Sequence, residues 1–406
     1  MPWKGFEATR SRLVVPPALS ALLSVLLSTV WAGVIVIIVG ANVALAQQAM
    51  RAPYVKEPVV NGVLPSRGID PKSLASDAAA GITLPNWSGS FVAKGTTYNY
   101  VMLGTDPALG SATTTIHAIL VPLKLEFADG TILDPSAPVY GQTQSSVVLT
   151  EQSPLFKPVP FTPGGTNVGD TEYIDAFQRA DFWNYVSTSA PDYHILYKLT
   201  AKAVETLHVP AYFGYTKTGP GNRVGYVDNS WMDGQLAVLM YKLKIKTNTV
   251  PLFLVYDTFS YGSNFVFGGY HSAFGSPGQV YAEFGFYDNV LSPTTGDIMT
   301  LSHELAELTA DPYIQNIVPN WSNPEFPGQC SDLLEVGDPV NAILLQPPVT
   351  LKGFTYHLED LTFLPWFELQ SPSSAVNGWY TFGNYYSSPA TCSGAAPALA
   401  AAGRGK

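Results

Sequence analysis

The chain has 406 residues, 46% of them apolar, which is enough for a substantial core and excludes global disorder. Charged residues make up only 13% while Tyr, Gly and Pro number 22, 35 and 33, a mix that suits a β-rich, loop-rich exported protein. A net charge of −10, with no basic run in the body of the chain, argues against nucleic acid as a partner, because a phosphate-binding surface concentrates Lys and Arg.

At the N-terminus Lys4, Arg10 and Arg12 precede the uncharged stretch "LVVPPALSALLSVLLSTVWAGVIVIIVGANVALA", which ends in Ala44-Leu45-Ala46. A basic segment, an apolar segment and an A-x-A site make a secretory signal, so residues 1–46 are expected to be removed after Ala46. The apolar part exceeds the usual ~7–15 residues and would span a bilayer if left uncut. An uncleaved anchor is therefore the alternative, with membrane contact only through residues 13–46. Cleavage would leave a net charge of −12 by the same counting. Export to the periplasm, cell envelope or medium follows from either reading. Residues 47–85, rich in Pro, Ala and Ser without a sustained period, are expected to form a linker.

From Asn86 onward short alternating runs predict strands. "TTTIHAILVPLKLEFADGTILDP" predicts two strands turned at Asp129-Gly130, with His117 packed within the first. Residues 135–170 carry several Pro and Gly and are expected to form loop. "TEYIDAFQRADFWNYV" has helical period; Asp175, Gln178 and Arg179 either line a site or, the plainer reading, form a solvated or capping face. "NSWMDGQLAVLMYKLKI" predicts a helix and "VPLFLVYDTFSY" a buried strand. "SNFVFGGYHSAFG" and "QVYAEFGFYDNV" predict two more strands. "TTGDIMTLSHELAELTA" predicts a helix capped at Thr294 or Thr295, with Asp297 in its first turn and Pro312 stopping it. The expected fold is α+β: a β-rich N-terminal part over 86–225, a second part over 226–395, and a disordered tail over 396–406. In the second part, a helix, strands and then a helix carrying His-Glu is the element order of a zincin-like core.

That last helix carries the chemistry. "HELAE" is the zinc-protease signature H-E-x-x-H with the second histidine replaced by Glu307. At ~100° per residue, His303 and Glu307 project together, beside Thr300 and Ala310, while Leu301, Leu305 and Leu308 face the core. Zinc accepts imidazole nitrogen and carboxylate oxygen, and catalytic sites commonly have three protein ligands plus water. Glu304 stands where the general base of such an enzyme sits. For the third ligand "CSDLLEVGDPV" offers Glu335 and Asp338, of which Glu335 is the expected one. Asp338, Asp311 and His271 would stand behind the ligands or face a substrate; His271 lies on a strand edge beside two glycines that would admit a substrate backbone. A His-Glu-Glu set polarises water less than one with two imidazoles, so Ca²⁺ or Mn²⁺ would also suit it. The plainer alternative makes Glu304 and Glu307 ordinary helix carboxylates, with Glu307 contacting His303. Cys330 and Cys392 are the two cysteines of the chain, an even count that permits a disulfide in an exported protein.

"HELAELTADP", followed by "NW", by Cys330 and by "LEVGDP", resembles a group of exported bacterial proteins carrying H-E-L-A-E…D-P…E-x-G-D. It is similar, more distantly, to the plant extracellular phosphate-induced (EXORDIUM-like) proteins. "TEYIDAFQRADFW", "PLFLVYD", "GGYHSAFG" and "FTYHLEDLTF" extend the likeness over residues 86–392. The plant proteins have a cysteine shortly after their E-x-x-D, where Pro339 and Val340 stand here, so a disulfide would be arranged differently. The resemblance implies a zincin-like fold in an exported protein. The expected function is a zinc-dependent metallohydrolase acting on peptides or proteins, with an edge strand within 279–288 aligning the substrate. Its rival is a non-catalytic extracellular binding module on the same scaffold, its site empty or holding a structural ion.

Overall fold

In the computed structural model the described residues are 83–392, apart from 263–265, 276–277, 293–295, 325–327, 342 and 346–347. The expected signal, most of the linker and the tail lie outside them. Among the described residues no helix is long and apolar enough to cross a membrane.

A hairpin of β1 (Asn86–Ala93) and β2 (Thr96–Leu103) opens the described chain. Next come β3 (Thr113–Phe127) and β4 (Ile132–Leu133), antiparallel as the Asp129-Gly130 turn predicts. The expected loop over 135–170 is more structured than its Pro and Gly content predicts, holding a short helix, Ser146–Gln152, and two paired strands, Val159–Phe161 and Gly169–Thr171. Helix α1 (Tyr173–Asp181) precedes β5 (His194–Ala201), β6 (Glu205–Val209), β7 (Gly214–Thr218) and β8 (Arg223–Asp228). Helix α2 (Asn229–Lys242) leads to β9 (Thr249–Tyr256), β10 (Thr258–Tyr261), β11 (Val266–Phe267), β12 (Gly269–Gly275) and β13 (Gly278–Phe286). Helix α3 (Met299–Ala310) carries "HELAE" and is followed by β14 (Ile317–Ser322) and β15 (Cys330–Leu333).

The main sheet runs in the order β12–β13–β9–β3, with β5 and β6 in succession along the other side of β3. All of these strands are parallel except β12, which pairs antiparallel with β13. The sheet draws strands from both the 86–225 and the 226–395 parts, so the two share one core element. Pro122 fits in β3 because its position falls between the last residue paired to β5 and the first paired to β6, where a missing N–H breaks no ladder bond on that side.

Period-two alternation in the strands sorts side chains to two apolar layers. Leu252 and Leu254 of β9 and Val280, Ala282 and Phe284 of β13 join α1 and α3 in one layer. Phe253, Val255 and Tyr281 point to the opposite face, where Met232, Leu236 and Met240 of α2 cover them. Burial on both faces is why "PLFLV" is continuously apolar.

Several expectations need correction. The 279–288 strand is not an edge: β13 is hydrogen-bonded to β9 and β12 on its two sides, and β12 is the edge strand. Asp175 and Arg179 of α1 are buried rather than solvated. Asp175 accepts from Thr171 Oγ1 and the Ile195 amide, and the Arg179 guanidinium donates to the Val168, Pro191 and Tyr193 carbonyls. His117 lies on β3 as expected but faces outward. Cys330 and Cys392 form a disulfide, Cα–Cα 5.6 Å, tying the chain near its C-terminal end to the start of β15.

Candidate metal centre

Helix α3 lies on β12 and β13, and every residue in it except Thr300 is buried. It starts at Met299, later than expected, without a side-chain cap. Asp297 sits just before it at φ 52, its carboxylate taken by His357, whose Nδ1 is 2.6 Å away; Thr294 and Thr295 lie outside the described residues. Two glycines let the helix come so close. A Cβ on Gly269 would stand 2.6 Å from Thr300 Cγ2 and 2.7 Å from the Glu283 carbonyl oxygen. The glycines before His271 thus admit the helix, where the sequence suggested a substrate backbone.

The His303 imidazole is held from both ends. Its Nδ1 lies 2.9 Å from Glu359 Oε2, a charge-assisted hydrogen bond to a carboxylate. Glu359 is itself pinned to the helix, its amide donating to Ser302 Oγ at 3.0 Å. With Glu359 as acceptor Nδ1 is the donor, which leaves Nε2 as the nitrogen that a metal could take once its proton is displaced. Nε2 faces Glu307 Oε2 at 3.2 Å and Asp338 Oδ1 at 3.6 Å. Two ligand atoms bound tetrahedrally at ~2.0–2.1 Å stand ~3.3–3.4 Å apart, so these separations suit co-ligands of one ion.

Glu307 is equally constrained. Its Oε1 accepts from the amides of Gly337 at 3.0 Å and Asp338 at 3.3 Å, which leaves Oε2 turned toward the imidazoles. Gly337 lets the loop pass this close, because a Cβ there would lie 2.4 Å from His303 Nδ1. From β12, His271 enters on the other side of the helix carboxylates, with Nδ1 3.4 Å from Glu304 Oε2 and 3.6 Å from Glu307 Oε2, and Nε2 3.8 Å from Glu335 Oε2.

Two sets of side chains therefore stand close enough together to hold a metal ion: His303, Glu307 and Asp338, and His271, Glu304 and Glu307. The structure brings Asp338, rather than the expected Glu335, to His303 and Glu307. The chain bends at Gly337, which sits at φ −86, ψ −37, and carries Asp338 back over the helix while Glu335 stays beside His271. Asp311 belongs to neither set; its carboxylate clamps the loop after α3 by accepting from the Gln315 and Asn316 amides, each at 3.0 Å. Glu359 was not singled out from the sequence. The signal available was a pair of acids in the apolar run "FTYHLEDLTF", with nothing local to say which of them reaches His303.

Electrostatics follow from burial and from this packing. Burial works against the His303 cation, but Glu307 and Glu359 outweigh it and hold the pKa well above its ordinary value. His271 is likewise raised to about 9, burial being outweighed by Glu304, Glu335 and Glu307. Burial raises Glu307, and His303 and His271 reverse that, leaving it lowered. Glu335 is raised by burial and then by the negative charge of Glu307. The acids that meet here outnumber the imidazoles, and burying excess negative charge costs several kcal/mol per ion unless a cation compensates. The donors are imidazole nitrogen and carboxylate oxygen without a thiolate, a set that fits zinc or manganese.

Compared with protein-family models, characterised proteins and solved structures, the chain matches none.

Proposed function

We propose that this chain is an exported, zincin-like, metal-dependent hydrolase acting on peptide bonds. The observation that carries this is His303, whose Nδ1 is bound to Glu359 while its Nε2 faces two carboxylates at ligand spacing. A carboxylate behind the imidazole is what orients a metal-binding histidine and raises its basicity. The mixed sheet with its antiparallel edge strand β12 beside the "HELAE" helix supports the zincin-like part. Export rests on the N-terminal sequence alone.

In this reading His303, Glu307 and Asp338 hold a divalent ion, zinc in the first instance and manganese or calcium as alternatives. A bound ion would supply Lewis-acid polarisation of the scissile carbonyl and would acidify water. Glu304, one residue along the helix and among the least buried of the site residues at 6% exposure, takes the proton and returns it to the leaving amine. The Gly337 and Asp338 amides keep Glu307 in place, and Glu359 holds the His303 tautomer. The backbone of β12 offers an extended peptide a sheet edge next to the site.

Elemental analysis of the purified protein beside its His303→Ala variant tests the metal, and Glu304→Gln tests the chemistry. Metal lost with His303, and peptide hydrolysis down ~10²–10⁴-fold in Glu304→Gln with the His303-bound ion retained, is the expected result. Unchanged hydrolysis would sink the mechanism. A second reading has its own support: Glu307 and Asp338 are each only 1% exposed, as in a closed structural site. A chelator-resistant metal with no turnover across a peptide library would favour this non-catalytic binding module.

A further inference from the structure

Within the metal-binding reading, on which this inference rests, we propose that the site is built for two cations bridged by Glu307. The two ligand sets share Glu307 and no other residue, and among the described residues no set contains both imidazoles. One ion cannot serve atoms spread over both sets, since two ligands at ~2.1 Å stand at most ~4.2 Å apart.

His271 Nδ1 lies 3.4 and 3.6 Å from Glu304 Oε2 and Glu307 Oε2, distances long for an N–H···O hydrogen bond and right for co-ligands. His271 is 4% exposed, and its Nε2 finds no hydrogen-bond partner among the described residues. Its nearest charged neighbours are carboxylates alone, none closer than 3.4 Å, the donors that a divalent ion takes beside an imidazole. Glu307 is oriented to supply the bridge. With Oε1 occupied by two backbone amides, Oε2 alone faces His303 Nε2 at 3.2 Å and His271 Nδ1 at 3.6 Å. Charge agrees: with both imidazoles neutral as ligands, one divalent ion balances two carboxylates, yet the two sets together hold three, Glu304, Glu307 and Asp338. Paired ions would clamp both oxygens of the reacting centre, as in two-metal hydrolases, and Glu304 would then hold the second ion through Oε2 instead of acting as the general base it is with one ion.

The test loads purified protein with Mn²⁺ and combines equilibrium dialysis with electron paramagnetic resonance. Two ions per chain with an exchange-coupled spectrum are expected, falling to one ion and an uncoupled spectrum in His271→Gln. One ion per wild-type chain, unaffected by His271→Gln, overturns the pair and leaves the proposed hydrolase standing. Two ions with the spectrum of isolated Mn²⁺ overturn the Glu307 bridge. No bound ion overturns both. Should His271→Gln fail to fold, the wild-type stoichiometry and spectrum decide alone.

Discussion

Substituting Gly337 by alanine presses directly on the His303 ring, because the change adds one methyl group and nothing else. Gly337 sits at φ −86, ψ −37, a conformation any residue adopts, so alanine brings no backbone strain. The new Cβ would lie 2.4 Å from His303 Nδ1, 2.6 Å from Cε1 and 2.8 Å from Cγ. Ordinary contact begins near 3.4 Å, so the ring or the loop must give way by about 1 Å, on the scale at which misplaced active-site groups lose ~10²-fold in rate. A retreating ring loses the 2.9 Å bond to Glu359 and carries Nε2 off its line to Glu307 and Asp338. Overpacking of this kind costs about 1–3 kcal/mol, and a disturbed support behind a metal-bound histidine weakens binding ~10–100-fold. Competition with a chromophoric chelator measures the affinity, and thermal unfolding with and without metal reports the fold. A variant that folds, but whose metal-induced rise in Tm shrinks with the affinity, is the expected result. A folded Gly337→Ala protein that binds metal as tightly as wild type would refute His303, Glu307 and Asp338 as a ligand set, since movement of the ring or of the loop disturbs one or another of them.

Three other predictions address different parts of the site. Glu359→Gln keeps the shape but removes the charge behind His303, and metal affinity should fall ~10–100-fold; equal affinities would make Glu359 a packing residue only. Both imidazoles have folded pKa values above the unfolded ~6.5, so in metal-free protein their stabilisation is full below that pH and is lost as pH rises, through about 9 for His271. Metal has to displace those protons, so affinity should rise with pH and binding should release protons; calorimetry in buffers of different ionisation enthalpy would show neither if the histidines are not ligands. Cys392→Ser opens a cross-link spanning 62 residues, worth up to ~4 kcal/mol in the chain-entropy account. A clear drop in Tm is expected, and an unchanged Tm would mean the loop is held by its other contacts.

What was legible in the sequence had local periodicity behind it. The strands of the buried sheet followed from apolar runs such as "PLFLV", and the joint projection of His303 and Glu307 from their spacing of four on a helix. Where the outcome depended on residues far along the chain, local reading had no purchase. Asp297 reads as a first-turn acid but is held outside the helix by His357, 60 residues later. The edge strand depends on strand order, which alternation within one strand does not encode. Glu335 and Asp338 lie three residues apart in a segment without period, and the turn at Gly337, closed by Glu307 Oε1, decides which of them meets His303. Even so, α3 carried an indirect signal. Its leucines mark it as a core helix, and a core helix that also bears His303, Glu304 and Glu307 would be severely destabilised without compensation. Such compensation has to come from side chains of other elements or from bound cations. Asp338, His271 and Glu359 are the side chains that the fold brings there, and two of the three are themselves acids, so each partner for His303 adds to the negative charge that a cation must neutralise.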